Sequence, residues 1–263
     1  MIGKVILNTL KSMEGDFSII LKDLKSGSVL FEQDAERQIP SASTIKMLIM
    51  VEAYRCFLAG KLDLNEKISI NNAKKVEFSL ISEMNTDQYT VKDLILLMMT
   101  ISDNTATNVL IDLLGMENIN NIGIELGLKG TILQRKMMDF EAARKGRQNL
   151  TIPSDLLNLM EKLYKNEILT QSSCNEMLKI MSTVISKDFM IRDLPVDTRC
   201  AHKPGELDEI NHDVGIVYTP SGDYALGIFA TGLKDNISGR NYIAQLSKEI
   251  FDHIVKNEKT QQS

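Results

Sequence analysis

Strand-like patterning at both ends of the chain, helical patterning through its middle and short turns between them predict an α+β fold. The expected architecture is a five-stranded antiparallel sheet formed by N- and C-terminal strands and flanked by helices, with an all-helical subdomain inserted between the two halves. That makes one domain over 1–263, with an α/β part at about 1–45 and 196–263 and a helical part at about 46–195. With 43% hydrophobic and 25% charged residues among 263, the chain can fill a sizeable core.

Taken in order, residues 17–22 and 28–32 are β-prone runs around Lys25-Ser26-Gly27, which reads as a hairpin. Pro40-Ser41-Ala42 leads into a helix in which Ile45, Met47, Leu48, Ile49, Met50, Val51 and Ala53 are apolar nearly all round, the mark of a buried helix. Thr90 with Asp93 makes a capping box for a helix over 91–99. A second helix fits 104–114 with Gly115 as its stop, so Ser102-Asp103 is the break between the two. Past Leu133 the chain is polar and irregular to Asn149, a long connection of the kind that is often functional. Pro153-Ser154-Asp155 restarts helical spacing through Leu156, Leu159, Met160 and Leu163. Strand period returns over 198–203, 213–218 and 224–231, with a turn at Pro220-Ser221-Gly222-Asp223. A closing helix spans about 240–255, and the tail 256–263 is expected to fray.

Several function classes fall away on composition. A net charge of −5 with scattered Lys and Arg gives no clustered basic surface for nucleic acid. Cys56, Cys174 and Cys200 are odd in number and lack C-x-x-C spacing, so they read as free thiols rather than disulfides or a zinc site. His202, His212 and His253 are too dispersed for a metal centre, and neither metal nor cofactor is expected. The first eleven residues carry an apolar run cut short by Asn8, Thr9 and Lys11, too short for a signal peptide core. No stretch approaches a membrane span, so the chain reads as soluble and free of membrane segments.

Three short motifs carry chemistry. Ser43-Thr44-Ile45-Lys46 places a hydroxyl and an amine one helical turn apart, at a helix start where backbone N–H groups favour developing negative charge. A serine is a weak nucleophile until a base takes its proton, and burial with a second cation, Lys203, would depress the pKa of Lys46 enough for that work. Ser102-Asp103-Asn104 offers a proton relay, a helix cap and a side-chain amide. His202-Lys203-Pro204-Gly205 puts a cation and a residue without a Cβ near a strand end. Each alone reads as readily as a cap or a solvated lysine. Their order and their placement on a helix start, an interhelix turn and a strand make them a set.

The set resembles that of the class A β-lactamases and penicillin-binding proteins, over nearly the whole chain. The resemblance implies that Ser43 is the acylated nucleophile, Lys46 its activating partner and Ser102 the proton relay. Asn104 would bind a substrate amide, and Lys203 a carboxylate, with Gly205 clearing its approach. The oxyanion hole would combine the backbone N–H of Ser43 with that of Glu206 or its neighbour. His212 is a candidate for the carboxylate contact often made by an arginine. The expected substrate is a small β-lactam or an acyl-D-amino-acid-like molecule, and the expected assembly a monomer or weak dimer.

Two departures stand out: Pro204 replaces the hydroxyl residue of the usual K-T-G triplet, and Met137 falls where the family's water-activating glutamate belongs. Asp139 and Glu141 are the carboxylates nearby and hence the candidate deacylation bases, while Arg135 and Asn149 are placed to tie the loop ends. The activity implied is a serine hydrolase opening β-lactam amides through an acyl-serine, with slow deacylation. The alternatives are a D-alanyl peptidase or esterase, or a penicillin-binding sensor that acylates and stalls. Members of the family are usually exported, which leaves cytoplasmic residence as the chain stands, or export with a leader removed.

Overall fold

Four strands buried on both faces and one largely exposed edge strand build the central sheet of this protein, whose structure, a computed structural model, describes residues 1–261 with side chains to 255. The tail 256–263, on which fraying is expected, lies outside the residues described in full. In chain order the elements begin with α1 (Ile2–Leu10), β1 (Asp16–Asp23), β2 (Val29–Gln33) and β3 (Ile39–Pro40). A 3-10 turn (Ala42–Ile45) leads into α2 (Lys46–Leu58), followed by β4 (Lys67–Ser69), β5 (Gln88–Thr90), α3 (Val91–Thr100), α4 (Asn104–Leu114) and α5 (Met116–Glu125). Then come α6 (Phe140–Arg144), β6 (Leu150–Thr151), α7 (Pro153–Tyr164), α8 (Gln171–Met181), β7 (Cys200–Leu207), β8 (Ile210–Val217), β9 (Tyr224–Thr231) and α9 (Asn236–Gln261).

Strands β2-β1-β9-β8-β7 form the five-stranded sheet, antiparallel at every pairing, so the N-terminal hairpin docks on the C-terminal strands as expected. Alternate residues feed two cores. Phe17, Ile19, Leu21, Leu226 and Ile228 meet Ile6 of α1 and Ile243, Leu246 and Ile250 of α9. Ile20, Ala201, Val214, Ile216 and Phe229 face α2, α7 and the other helices. Helix α2 is buried nearly throughout from Lys46 to Tyr54, as its unbroken apolar run requires.

Helices α1, α5 and α8 lack a strong sequence signal. Helix α1 is short and exposes Leu7, yet it sinks Ile6 completely. Helix α5 is rich in asparagine, a poor helix former, and is held by Ile119, Ile122 and the close seat of Gly123 on Leu48. Helix α8 is capped by Thr170 and buries Cys174, Met177 and Met181. The strand at 198–203 starts instead at Cys200 and runs on through Pro204 to Leu207, which an edge strand tolerates because one side of its backbone lacks a ladder partner. Strand β8 starts three residues earlier than 213, because Asp208-Glu209 closes a two-residue hairpin loop with Glu209 at φ 57°.

Candidate active site

Four elements converge on one cavity of about 740 Å³: the turn before α2, the α3–α4 break, the 134–149 loop and edge strand β7. Four non-glycine residues lining it hold positive φ, namely Ala42 (47°), Phe78 (53°), Ser102 (60°) and Met138 (63°). Such strain persists where the surroundings over-determine it, and it gathers at functional sites. For Ser102 the outcome is direct: its Oγ lies 3.0 Å from Lys46 Nζ and 3.1 Å from Lys203 Nζ.

Lys46 donates further to the Ser102 carbonyl at 2.6 Å and to Asn104 Oδ1 at 3.0 Å. Its amine is buried, which pushes its pKa well below the usual lysine value, and the charge of Lys203 pushes the same way against Asp103. Lys203 donates to the Pro204 carbonyl at 3.0 Å, and burial lowers it to about 8 with Asp213 resisting. The two amines are no more than about 6 Å apart, a separation at which two charges at an effective dielectric near 20 repel by about 3 kcal/mol. That repulsion adds to burial in disfavouring a charge on both lysines at once.

Ser43 lies in the 3-10 turn ahead of α2, not within the α-helix, and lines the cavity. Among the described residues its Oγ has no hydrogen-bond partner, and the Lys46 amine is spent on Ser102 and Asn104. Gly205 is where β7 meets that turn: a Cβ there would fall 3.0 Å from the Ser43 nitrogen and 3.1 Å from Ala42 Cβ. The glycine thus clears the seat of Ser43 itself. Glu206, one residue on, also lines the cavity, while its carboxylate accepts from Asn211 at 2.9 Å and faces Arg240 Nε at 3.3 Å.

Asp103 is the structural member of its motif. It caps α4 by accepting from Ala106 N at 2.8 Å, and it holds the preceding loop through Ser79 Oγ at 2.9 Å and Ile81 N at 3.1 Å. That clamp presents Phe78, 79% exposed, at the cavity rim.

His212 is not brought to the cavity. Its ring is fully buried against Phe229, with Nδ1 2.8 Å from the Asn211 carbonyl and Nε2 2.9 Å from that of Pro40. Burial pushes it down to about 4, against the two carbonyls. Besides Lys203 and Arg135, the fold delivers Arg240 of α9 to the cavity, a residue that nothing local in the sequence distinguishes.

The loop carboxylates are likewise committed elsewhere. Asp139 caps α6 through Ala142 N at 2.9 Å, and Glu141 is exposed and paired with Lys145. Neither lines the cavity, whereas Met137, Met138 and Phe140 do. The reason is the short helix α6, which the irregular stretch was not expected to contain: its cap takes Asp139 and its outer face takes Glu141. Asn108 clamps Met137 by donating to its carbonyl at 3.0 Å and accepting from its N–H at 2.7 Å. Asn149 accepts from Gln134 N and Arg135 N at 2.8 and 3.0 Å and donates to the Arg135 carbonyl at 3.1 Å. The Arg135 guanidinium itself pairs with neutral Gln148 at 2.8 Å. Among the described residues no cluster of His, Cys, Asp and Glu could hold a metal ion, the three cysteines are free, and no helix is long and apolar enough to cross a membrane.

The five-stranded sheet with its helical insertion places the chain among β-lactamase-fold proteins. Residues 2–254 match the Beta-lactamase enzyme family, and the chain belongs to it. A curated relative, β-lactamase BRO-1 of Moraxella catarrhalis, is 23% identical over 82% of this chain and 72% of its own. A β-lactamase from Sphaerobacter thermophilus is 27% identical with TM-score 0.86, covering 96% of each chain. PBP-A, solved in mutant form as an acyl-enzyme with penicillin G, is 27% identical with TM-score 0.87, covering 97% of this chain and 96% of that one.

Proposed function

We propose that this protein is a serine hydrolase of the class A β-lactamase type that opens β-lactam amides through an acyl-Ser43 intermediate and deacylates slowly. The observation that carries the reading is Ser102 Oγ held between two buried amines beside the turn that bears Ser43. In the reaction, Ser43 Oγ attacks the amide carbonyl carbon and its proton passes to neutral Lys46. Ser102 relays a proton to the leaving nitrogen as the C–N bond breaks, and Lys203 holds the substrate carboxylate. Backbone N–H groups of Ser43 and Glu206 would receive the oxyanion.

Slow deacylation follows from Met137, whose clamped backbone leaves a thioether, incapable of accepting a water proton, where a base is needed. The same feature supports the second reading, a penicillin-binding module that acylates and stalls. A D-alanyl peptidase or esterase would use the same groups on another acyl donor. Intact-mass spectrometry after incubation with penicillin should show one adduct per chain, absent in Ser43→Ala; an unchanged adduct in that variant removes Ser43 from the mechanism. A chromogenic cephalosporin should give a burst of about one equivalent before a slow phase. Steady turnover without a burst would overturn slow deacylation, and a burst with no later turnover would select the stalled module.

A further inference from the structure

On the sheet face turned away from the cavity, His202 and Asp213 form a buried pair that the mechanism above does not use. His202 Nδ1 lies 3.0 and 2.9 Å from the two carboxylate oxygens, and Asp213 Oδ2 also accepts from Met190 N at 3.1 Å. Both residues are 1% exposed or less. Gly215 faces His202 across the β7–β8 register, where a Cβ would fall 2.5 Å from His202 Cβ, so the strand is bare where the histidine sits. His202 Nε2 is buried with no hydrogen-bond partner among the described residues. A cationic ring would strand a charged N–H there, whereas the neutral Nδ1–H tautomer leaves only a lone pair. In register Asp213 faces Pro204 and Val214 faces Lys203, so the Asp213 carboxylate sits behind Lys203 in the adjacent strand.

We infer that Asp213, oriented by His202, is a positioning residue that keeps Lys203 the cationic one of the two lysines sharing Ser102 Oγ, reserving Lys203 for a substrate carboxylate and Lys46 for proton transfer. The kinetic side of this rests on the proposed function, but the charge of Lys203 does not. Hydrogen bonding alone does not choose between the lysines, since both donate only to neutral acceptors. Of the other charged groups around them, Asp103 is hydrogen-bonded to neutral donors of α4 and the 79–81 loop and resists the fall of Lys46, Glu206 faces Arg240, and Glu176 of α8, which packs on β7, pairs with Lys92. Arg135 in the cavity wall is a cation, and His212 on β8 is turned to Pro40. The depressed pKa values agree, with Asp213 the group that resists the fall of Lys203 and Lys203 a cause of the fall of Lys46.

The test is titration of Lys203 Nζ by nitrogen-15 NMR in the substrate-free full chain, with the signal assigned by its loss in K203R. D213N should move the midpoint down by at least about one pH unit, a tenfold change in proton affinity. H202N, whose side-chain N–H can replace Nδ1–H, should leave the midpoint in place. An unmoved midpoint in D213N overturns the inference; so does an upward shift in H202N, which would mean that the parent histidine is charged. Should D213N fail to fold, the H202N titration decides alone. In acylation, D213N should raise the half-saturating concentration of a carboxylate-bearing β-lactam by about fivefold or more at pH 8 while that of its methyl ester stays as in the parent. Equal losses for both would show a merely structural role. If neither donor acylates the parent, the hydrolase reading fails, while the titration still decides the charge of Lys203.

Discussion

On the proposed function, two residues, Lys46 and Met137, would set how acylation and deacylation proceed. Burial and the charge of Lys203 push the Lys46 amine well below the usual lysine range and so toward its neutral, basic form; Lys46→Ala should therefore slow single-turnover acylation by at least about a hundredfold while circular dichroism stays unchanged. Acylation at the parent rate would make the lysine a bystander. At Met137 the backbone is clamped by Asn108, so a new side chain inherits a defined place in the cavity wall. Met137→Glu should accelerate the slow phase by about 10² or more, the scale of a positioned base. A slow phase left at the parent rate would show that a carboxylate at 137 does not reach the acyl-enzyme water. The residue types were legible as motifs; the allegiance of Lys46 to Ser102 and Asn104 was not, because those partners lie 56 and 58 positions along the chain.

At the scale of elements, the close approach of β7 to the Ser43 turn would set the geometry of attack in the proposed reaction. Gly205→Ala places a methyl against the Ser43 nitrogen and Ala42 Cβ, so strand and turn must part by several tenths of an ångström. Acylation should fall by about 10² for a displacement of that kind, with little loss of thermal stability. A parent-like rate would show that the turn yields freely. In the 134–149 loop, Asn149→Ala removes three hydrogen bonds and leaves buried backbone groups unpaired. A loss of about 1–3 kcal/mol in denaturant unfolding is expected. The capping box at Thr90 and the stop at Gly115 could be read in advance because caps are local. Helix α6 could not, and it is what draws Asp139 and Glu141 away from the cavity.

Across the whole molecule, the sheet is closed by the two ends of the chain and covered on one side by α1 and α9. Ile6 of α1 is wholly buried in that layer, so Ile6→Ala should cost about 2–5 kcal/mol of stability, visible as a lower unfolding midpoint. A midpoint unchanged from the parent would mean that α1 rests on the sheet without supporting it. Among the described residues, none of α1 lines the cavity, so acylation at temperatures where the variant stays folded should match the parent.

By itself the sequence determined the α+β class, the sheet built from both termini and the starts of α3, α4 and α7, and it singled out Ser43, Lys46, Ser102 and Lys203 as candidates. These follow from side-chain period, capping chemistry and short motifs, all of which act within a few residues. Tertiary structure alone decided that His212 is sealed under the sheet, that Arg240 and Phe78 reach the cavity, and that His202 and Asp213 pair behind Lys203. Each of those facts depends on which face of a strand or which end of a distant helix meets the site, and a one-residue change of strand register would reverse the facing.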